Sequence, residues 1–452
     1  MIQNKAGKRK VIASALTFCF FLQQSFCLQV MATNVSGAIG DNGIYNVAPS
    51  ARNGDIGYRK YANFDVSNGD VLNLIFNNPQ DGVDVKTFLN LVDNQINIQG
   101  LVNAVNKNGT FKNDGHAVFI SPKGMIVGSN GVINVGAMTA LTPDQDSYEA
   151  YKRNVALPSL TAKWKEQLGH GNATVKKDGR VLARDFVNIE AANVEAGNNA
   201  LIMSGVRNDA ADSKGFTSKA MADALFTQLV NTDNLDTANA FKNNQGSISI
   251  TSYGAAGGTD IAGTMKNFSA GDITVNNSGS KGINVSGTSI NGNGNTKLVN
   301  TNGAINVTGN ITNQNGELLL DNTGSGILIA STGKLTNSNG VTNIKNTGAD
   351  GITFENGSKT LNKNSVTNIT NSGAAGINVR GHVTSNGINV DNKDSNVVIG
   401  YDNNNKDYLT STSDVNINVK NGNVYNSGVA SNLIKANGDL TIDVQNGAIG
   451  KE

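Results

Sequence analysis

Side chains that could do acid–base or metal chemistry are few and scattered in this 452-residue chain. The three histidines, His116, His170 and His382, lie far apart, and no H-E-x-x-H pattern accompanies them, so no zinc ligand set is visible. Both cysteines, Cys19 and Cys27, fall near the start of the chain. We therefore expect no metal centre, no cofactor and no catalytic residues, and predict that the protein is not an enzyme.

Residues 1–32 are predicted to be a cleaved signal peptide. A basic start that includes Lys5 and Lys10 precedes the apolar run from Val11 to Leu22, and Ala32 offers the small residue before a cleavage site. The apolar run is shorter than the ~20 residues that span a bilayer. The Sec translocon is thus an expected partner, and the mature chain contains no cysteine for disulfides or thiol chemistry.

The composition favours an ordered, turn-rich β protein. The chain has 52 glycines and 70 asparagines, which are poor helix formers, but only 5 prolines and 16% charged residues, unlike most disordered chains. Aromatic residues make up 6%, which indicates a thin core of aliphatic rows. After removal of the signal, 32 basic residues face 35 acidic ones, so no nucleic-acid partner is expected.

Internal repeats dominate the second half of the chain. The tract Val341 to Phe354 returns as Val366 to Val379, with nine of fourteen residues identical. The isoleucine of this motif recurs at 283, 327, 352 and 377, and the first interval is close to two units. All five prolines lie at or before Pro158, which leaves the repeats free of residues that cannot donate to a β ladder. A period of 20–25 residues is typical of a solenoid.

Each repeat alternates apolar and polar residues, as in Ile377-Asn378-Val379, which is the pattern of a strand with one buried face. Asn-Gly and Asn-Ser-Gly turns separate these strands, and asparagines stacked in successive coils can form amide ladders. The predicted fold is all-β, a right-handed parallel β-helix (solenoid) with three short strands per coil and short helical insertions. The repeats are assigned to residues 245–452.

Four tracts of the less repetitive first part carry a family resemblance: Phe64 to Val66, Gly69 to Asn73, Ile96 to Gly100 and His116 to Pro143. They resemble the N-terminal secretion domain, also called the haemagglutination-activity domain, of two-partner-secretion exoproteins. This family includes filamentous haemagglutinins, leukotoxin-like filamentous adhesins and contact-dependent toxins. The resemblance implies a secretion domain over residues 33–206 that begins the β-helix.

The hallmark tract of that family is an N-P-N-G-I turn after an apolar strand. Here it reads Ser121, Pro122, Lys123, Gly124 and Met125, with the proline and glycine in place and both asparagines replaced. The resemblance implies that this turn contributes to recognition by the transporter. The alternative is that it only shapes the first coils.

A second, weaker match concerns an earlier turn of the family, N-P-N-L. Asn77, Asn78 and Pro79 stand in its place and are the remaining candidates for transporter recognition. Two stretches richer in charge and helix formers interrupt the strand pattern, at about 144–171 and 207–244. In the second, Met221, Leu225 and Leu229, with Ala224 between them, predict a helix that packs on the solenoid flank.

The resemblance implies a secreted bacterial surface protein that crosses the periplasm and reaches the outside through an outer-membrane barrel with POTRA domains. A host-cell or carbohydrate receptor is a further expected partner. Two alternatives stay open. One is an autotransporter passenger, and the other is a carbohydrate-active β-helix enzyme, for which Asp391, Asp394 and the nearby Arg380 are the available acids and base.

Two smaller features complete the sequence-based expectations. The tract Asn291 to Asn295 is similar to one copy of a calcium-binding nonapeptide but lacks its aspartate, so no metal site is predicted. The strand pattern still runs at Leu440 to Val444 without any capping segment. Since solenoids normally cover their last coil, we expect the natural protein to be longer.

Overall fold

The computed structural model of the protein is a parallel β-solenoid of about 14 turns. It describes residues 33–153, 155, 169–208, 215–232, 241–243, 246–400, 407–427 and 433–451. The predicted signal peptide lies outside the described residues. The chain passes repeatedly through three sheets in the order first, second, third, so each coil has three strands and three corners. We call the corner from the third to the first sheet the 3–1 corner, and name the others likewise.

The first sheet contains the shortest strands, mostly three or four residues long. Its 15 strands are, in spatial order, β1 (Asn34–Val35), β6 (Phe64–Val66), β9 (Ile96–Ile98), β12 (Gly124–Val127), β15 (Asn172–Val175), β18 (Asn193–Ala196), β23 (Gly258–Ile261), β26 (Gly282–Val285), β29 (Ile305–Val307), β32 (Gly326–Ile329), β35 (Gly351–Phe354), β38 (Ile377–Val379), β41 (Val397–Ile399), β44 (Val424–Asn426) and β47 (Ile449–Lys451).

The second sheet also has 15 strands. They are β2 (Ile39–Asp41), β3 (Ile44–Val47), β7 (Val71–Ile75), β10 (Leu101–Val105), β13 (Val132–Val135), β16 (Arg180–Ala183), β19 (Leu201–Ser204), β24 (Thr264–Asn267), β27 (Thr288–Asn291), β30 (Asn310–Asn315), β33 (Lys334–Asn339), β36 (Lys359–Asn362), β39 (His382–Ser385), β42 (Leu409–Ser411) and β45 (Ile434–Ala436).

The third sheet has the longest strands, again 15 in number. They are β4 (Ala51–Asn53), β5 (Ile56–Tyr61), β8 (Thr87–Val92), β11 (His116–Ile120), β14 (Ala137–Leu141), β17 (Phe186–Ala191), β22 (Ser247–Ser252), β25 (Ile273–Asn277), β28 (Thr296–Asn300), β31 (Leu318–Asn322), β34 (Thr342–Asn346), β37 (Val366–Asn371), β40 (Gly387–Asp394), β43 (Val415–Asn421) and β46 (Leu440–Asn446).

Antiparallel pairing is confined, within these three sheets, to the N-terminal end. There β1 pairs with β6, β2 with β3 and β4 with β5, whereas every later neighbour in the three sheets is parallel. The antiparallel strands had no counterpart in the sequence-based prediction, because they do not take part in the repeat. They cover the first coil, and the edge that they leave consists of two or three residues per sheet.

The core consists of apolar rows that run along the solenoid, one residue per coil. Ile283 pairs with Ile305, Ile305 with Ile327, Ile327 with Ile352 and Ile352 with Ile377, and all five are buried. The predicted double interval between 283 and 327 is therefore confirmed, with Ile305 in the intervening coil. Since successive strands lie ~4.8 Å apart, each row is a continuous apolar stack.

Asparagine ladders, as predicted, satisfy the polar groups at the inner side of the corners. At the 3–1 corner the amide of Asn277 donates to Asn300 (2.6 Å), that of Asn300 to Asn322 (2.6 Å) and that of Asn322 to Asn346 (2.9 Å). The ladder continues to Asn392. All of its members are buried, so the hydrogen-bonding groups of each amide are satisfied by the neighbouring amides and not by water.

The first insertion contributes helix α1 (Gln145–Arg153), which leaves the solenoid at the 3–1 corner. Tyr148, Tyr151 and Val155 pack on the outer face of the third sheet, against Leu89, Leu91, Val118, Ile120 and Leu141. These strands are therefore buried on both faces, which explains why β8 and β11 are almost continuously apolar in sequence.

The second insertion leaves at the 2–3 corner through the antiparallel pair β20 (Val206–Asn208) and β21 (Phe241–Asn243) and contributes helix α2 (Lys219–Asn231). Ser218 caps the helix, and its hydroxyl accepts from the Met221 N–H. The predicted apolar stripe is partly wrong, since Met221 is 49% exposed and Ala224 is exposed too. The helix is rotated so that the larger Phe226 is buried on the second sheet, together with Ala222, Leu225 and Leu229.

Candidate functional site

The tract Ser121 to Gly124 forms a tight turn at the 3–1 corner, between β11 and β12. The Gly124 N–H donates to the Ser121 carbonyl (3.2 Å), and Pro122 takes the second position, where its fixed φ suits the turn. The Ser121 hydroxyl donates to the Asn94 carbonyl in the preceding coil (2.8 Å) and accepts from the Lys123 N–H (3.1 Å). The turn is therefore bonded to the coil that precedes it.

Both the backbone conformation and the available space require a glycine at position 124. Its φ is +94°, in the region that favours glycine, and an ideal Cβ would lie 2.3 Å from the carbonyl oxygen of Asn172, the first residue of β15. The next coil at this corner is where the first insertion departs and returns, since Gly171 sits directly beside Gly124 and Pro122. The turn thus lies between the preceding coil and the exit of the insertion.

Most of this turn is inaccessible once the coil has formed. Ser121 and Met125 are 1% and 3% exposed, and Pro122 and Gly124 are buried as well. Lys123 is the exposed member of the tract. The folded turn therefore offers a partner one ammonium group and backbone, whereas the unfolded tract offers all five residues.

The second predicted tract, Asn77 to Pro79, starts a closed loop at the 2–3 corner between β7 and β8. The Asn77 amide donates to the Gly82 carbonyl (2.8 Å) and to the Asp84 carboxylate (2.9 Å), and both Asn77 and Asn78 are buried. Pro79 is exposed at the tip. The asparagines therefore hold the loop closed, and only its tip faces solvent.

The structure does not bring the two predicted turns together. The Asn77 loop precedes β8, and the Ser121 turn follows β11, which pairs with β8 in parallel. The two turns consequently lie at opposite ends of neighbouring strands, ~17–20 Å apart at the usual rise per residue. In the folded protein the two turns are therefore separated by about the length of one strand.

Helix α1 is held beside the first turn by a polar contact with the corner. The Tyr148 hydroxyl donates to the Asp93 carboxylate (2.8 Å), and Lys152 forms an ion pair with the same carboxylate. Burial raises the pKa of Tyr148 well above its ordinary value, and the hydrogen bond to Asp93 adds to the rise. Tyr148 therefore stays a neutral donor, and the insertion is fixed to the third sheet.

A buried polar column under the second insertion was missed by the sequence analysis. The amide of Asn134 donates to Asn103 (3.0 Å), and the Arg184 guanidinium donates to Asn134 (2.7 Å). The Asn103 amide also forms two hydrogen bonds with the backbone of Phe216, at 2.9 and 3.0 Å. Burial lowers the pKa of Arg184 to about 9, and its guanidinium lies 4.2 Å from the Phe111 ring centroid.

The histidines occupy unrelated positions. The His116 ring lies 2.8 Å from the Thr139 hydroxyl and edge-on to Phe186, and burial lowers the pKa of His116 to about 4. His382 stacks on Tyr408, and His170 is exposed. No group of three histidine, cysteine or acidic side chains able to hold a metal occurs in the described parts of the chain.

The acids and base of the enzyme alternative are not assembled into one site. Asp391 and Asp394 lie at the end of β40 in the third sheet, where they accept from Asn418 and Asn421 at 2.8 Å each. Arg380 follows β38 at the 1–2 corner, across the width of the first sheet. The tract Asn291 to Asn295 is an ordinary corner, in which the Asn291 amide donates to the Asn295 carbonyl (2.7 Å).

Comparison with known proteins gives a structural similarity. No family model matches the chain, and no curated protein matches it significantly in sequence. Among solved structures, the HMW1 secretion domain from Haemophilus influenzae is similar, with 14% sequence identity, 93% of this chain and 98% of that chain covered, and a TM-score of 0.30. Within the described residues, no helix is both long and apolar enough to cross a membrane.

Proposed function

We propose that this protein is a secreted exoprotein of the two-partner-secretion class, of the filamentous adhesin type, or the N-terminal part of one. It uses the Sec translocon to enter the periplasm and an outer-membrane POTRA-barrel transporter to reach the cell surface. The observation that carries the proposal is the Ser121–Gly124 turn. Its proline and glycine, the two residues shared with the family's hallmark tract, occupy the positions where the backbone needs them.

The burial of this turn sets the time at which recognition takes place. Ser121 and Met125 are inaccessible in the closed coil, so their side chains can contact a transporter only before β12 docks on β9. The transporter therefore meets the tract as unfolded or partly folded chain in the periplasm. Burial after transit then removes the recognition tract from the transporter and favours release.

The fold also supplies a driving force for export. In a solenoid each coil contacts chiefly its neighbours, so folding can proceed one coil at a time from an existing template. The antiparallel strands β1, β2 and β4 end the solenoid at its N-terminal side, so the first coil has a fixed starting edge. Each coil that forms outside buries a further set of core residues and opposes backward movement of the chain.

We further propose that the protein acts by binding and presentation, without catalysis. The repeat region is a rod of stacked coils, with core residues paired in register and amides bonded from coil to coil. Such a rod holds a receptor-binding surface away from the cell. This is the mechanical requirement of an adhesin.

The test is a comparison of two glycine variants in cells that express the transporter. Pro122→Ala/Gly124→Ala alters the proposed recognition turn. Gly351→Ala is the matched control, because Gly351 also starts a strand of the first sheet, has a φ of +73° and would place a Cβ 2.2 Å from a backbone oxygen. Both variants strain one coil, but only the first touches the tract.

The expected result is that the Pro122→Ala/Gly124→Ala protein loses its signal peptide and accumulates in the periplasm, while Gly351→Ala protein reaches the surface. Signal cleavage is read from the mass of the protein, and surface arrival from protease accessibility of intact cells. Equal surface arrival of both variants, or equal retention of both, would show that the turn only shapes its coil.

A further inference from the structure

A groove lined mostly by residues with polar or charged ends runs parallel to the solenoid axis on the outer face of the third sheet, beside the 3–1 corner. It crosses four consecutive strands, β37, β40, β43 and β46, and has a volume of about 240 Å³. One wall is a column of residues in register: Thr370, Asp391, Asn418 and Asp443. The other wall lies two residues further along each strand: Ser372, Lys393, Lys420 and Gln445.

The two walls carry opposite charge. Asp391 and Asp443 stand on the first wall, and Lys393 and Lys420 stand on the second. In the described part of the chain no ion pair joins the walls, and Lys393 instead pairs with Asp394, at 3.7 Å and outside the groove. The groove therefore presents carboxylates along one side and ammonium groups along the other, with no net charge.

The groove contains several unused hydrogen-bonding groups. In the neighbouring outward column of this sheet the amides are paired along the axis: Asn368 donates to Asn343 (2.8 Å) and Asn389 to Asn368 (2.9 Å). In the groove Asn418 donates to Asp391 (2.8 Å). Five other groove side chains make no hydrogen bond to another described residue: Thr370, Ser372, Lys420, Asp443 and Gln445.

We propose that this groove binds a neutral, linear glycan that lies along the solenoid axis. The walls repeat every ~4.8 Å, the spacing of neighbouring strands, which is close to the length of one pyranose unit in an extended chain. Each ring carries hydroxyl groups on both edges, and a hydroxyl can both donate and accept. Successive rings can therefore bond to the acidic wall on one side and to the basic wall on the other.

Other linear ligands fit the groove less well. An extended peptide repeats its hydrogen-bonding groups every ~6.6 Å, so it falls out of step with the walls within two coils. A polyanionic glycan gains contacts with Lys393 and Lys420 but meets Asp391 and Asp443 on the opposite wall. The absence of net charge thus selects a neutral chain, and binding should depend little on salt.

This inference rests on the proposed adhesin function for its biological use, because it assigns the class of receptor that the rod presents. Its chemistry can be tested on the purified full chain without secretion. Cellohexaose and N-acetylchitohexaose serve as neutral linear probes, a heparin hexasaccharide as the polyanion and an extended acidic–basic hexapeptide as the peptide control. Binding is measured by titration calorimetry at low and high salt.

The variants are Lys420→Ala and Thr370→Val, one on each wall, with Lys359→Ala on the second sheet as the exposed control. At least one neutral probe should bind, with little change between low and high salt. Lys420→Ala should weaken that binding about tenfold, since a hydrogen bond to a charged group is lost, and Thr370→Val about threefold. Lys359→Ala should have no effect, and circular dichroism should show that all variants are folded.

Three results would overturn the proposal. They are binding of neither neutral probe, binding that is unchanged in folded Lys420→Ala and Thr370→Val proteins, and tighter binding of heparin or of the peptide than of either neutral probe. None of them affects the export comparison of the Gly124 and Gly351 variants, so failure of the groove and failure of the secretion proposal are separable.

Discussion

Ile352 pairs in register with Ile377 one coil further along the first sheet, and neither residue has exposed side-chain surface. Thr353 and Asn378, the next residues on the same strands, pair with each other and face outward. On each strand, the apolar residue points into the core and the polar residue next to it points outward. The order of apolar and polar residues therefore sets the phase of the strand. A shift by one residue would bury the polar column and expose the isoleucine row.

The first prediction tests this phase. Ile377→Asp places a carboxylate without a partner in the apolar row, and should lower the free energy of unfolding by about 3–5 kcal/mol. Asn378→Asp changes an outward-facing residue and should cost less than about 1 kcal/mol. Urea unfolding followed by circular dichroism gives both values. Similar losses for the two variants would mean that the strand phase is wrong.

The second prediction concerns the inner asparagine ladder. Asn322 is fully buried, accepts from Asn300 (2.6 Å) and donates to Asn346 (2.9 Å). Asn322→Leu leaves both neighbours short of one partner and should cost about 1–3 kcal/mol. Asn364→Ala, which removes an exposed amide bonded to Asn339 (2.8 Å), is the control and should cost less than about 0.5 kcal/mol. If the ladder does not stabilise the corner, both variants should show equal, small losses in the free energy of unfolding in the same experiment.

The third prediction follows from His116. Burial holds its pKa at about 4, below the ~6.5 of an exposed histidine, so the folded state favours the neutral ring. The resulting stability is complete above pH ~6.5 and is lost as the pH falls from about 6.5 to about 4. The loss amounts to roughly 3 kcal/mol.

His116→Gln should remove this part of the pH dependence and keep a hydrogen bond to Thr139. The measurement is the free energy of unfolding at several pH values between 7 and 4. Parallel pH profiles for wild type and His116→Gln would contradict the assignment.

The fourth prediction concerns the docking of helix α2. The buried Lys266 ammonium donates to the carbonyls of Leu229 (3.1 Å), Val230 (3.1 Å) and Thr232 (2.7 Å), at the end of the helix where a positive charge is favourable. Lys266→Met removes these bonds and should loosen the helix by about 1–3 kcal/mol.

Hydrogen exchange of peptides that cover residues 219–231 should then become faster by one to two orders of magnitude, as that change in local free energy implies. Exchange in the repeat region should stay as in wild type, because each coil depends mainly on its neighbours. Lys281→Met, at an exposed position, is the control. Unchanged exchange over 219–231 would show that the apolar contacts alone hold the helix.

The repeat region could be predicted from sequence because its signal is local and repeated. The alternation in Ile377-Asn378-Val379 fixes which face is buried, and recurrence at 352 and 377 gives the length of a coil. Asparagine at the corners indicates ladders for the same reason, since every coil repeats the same geometry. In each case the sequence of one coil predicts which residues are buried, and the equivalent residue of the next coil is the one that each of them contacts.

The first 206 residues were less predictable because their partners are distant in sequence. Leu89 and Val118 face outward yet are buried, since helix α1 covers them, and Asn103 is buried by a contact with Phe216. The same applies beyond residue 206, where the choice of Phe226 over Met221 as the buried residue of α2 depends on the shape of the second sheet. Strand alternation carries no information about which insertion will cover which face.

The Ser121–Gly124 turn was predictable in outline only. Pro122 and Gly124 identify a tight turn, and the structure places it at the 3–1 corner with Gly124 at positive φ. The sequence could not show that Ser121 and Met125 would be buried, because that depends on Asn94 and on the core of the neighbouring coil. Under the proposed export route, this burial would limit contact between the tract and a transporter to the stage before the coil forms.

The most direct test of the account is surface exposure of the full chain in its own cells with and without the outer-membrane POTRA-barrel transporter. Intact cells are treated with protease, and fragments of the repeat region are detected by mass spectrometry. The account predicts that repeat fragments appear only when the transporter is present, and that without it the protein, cleaved from its signal peptide, stays in the periplasm. Equal surface exposure in the transporter deletion would contradict export by two-partner secretion.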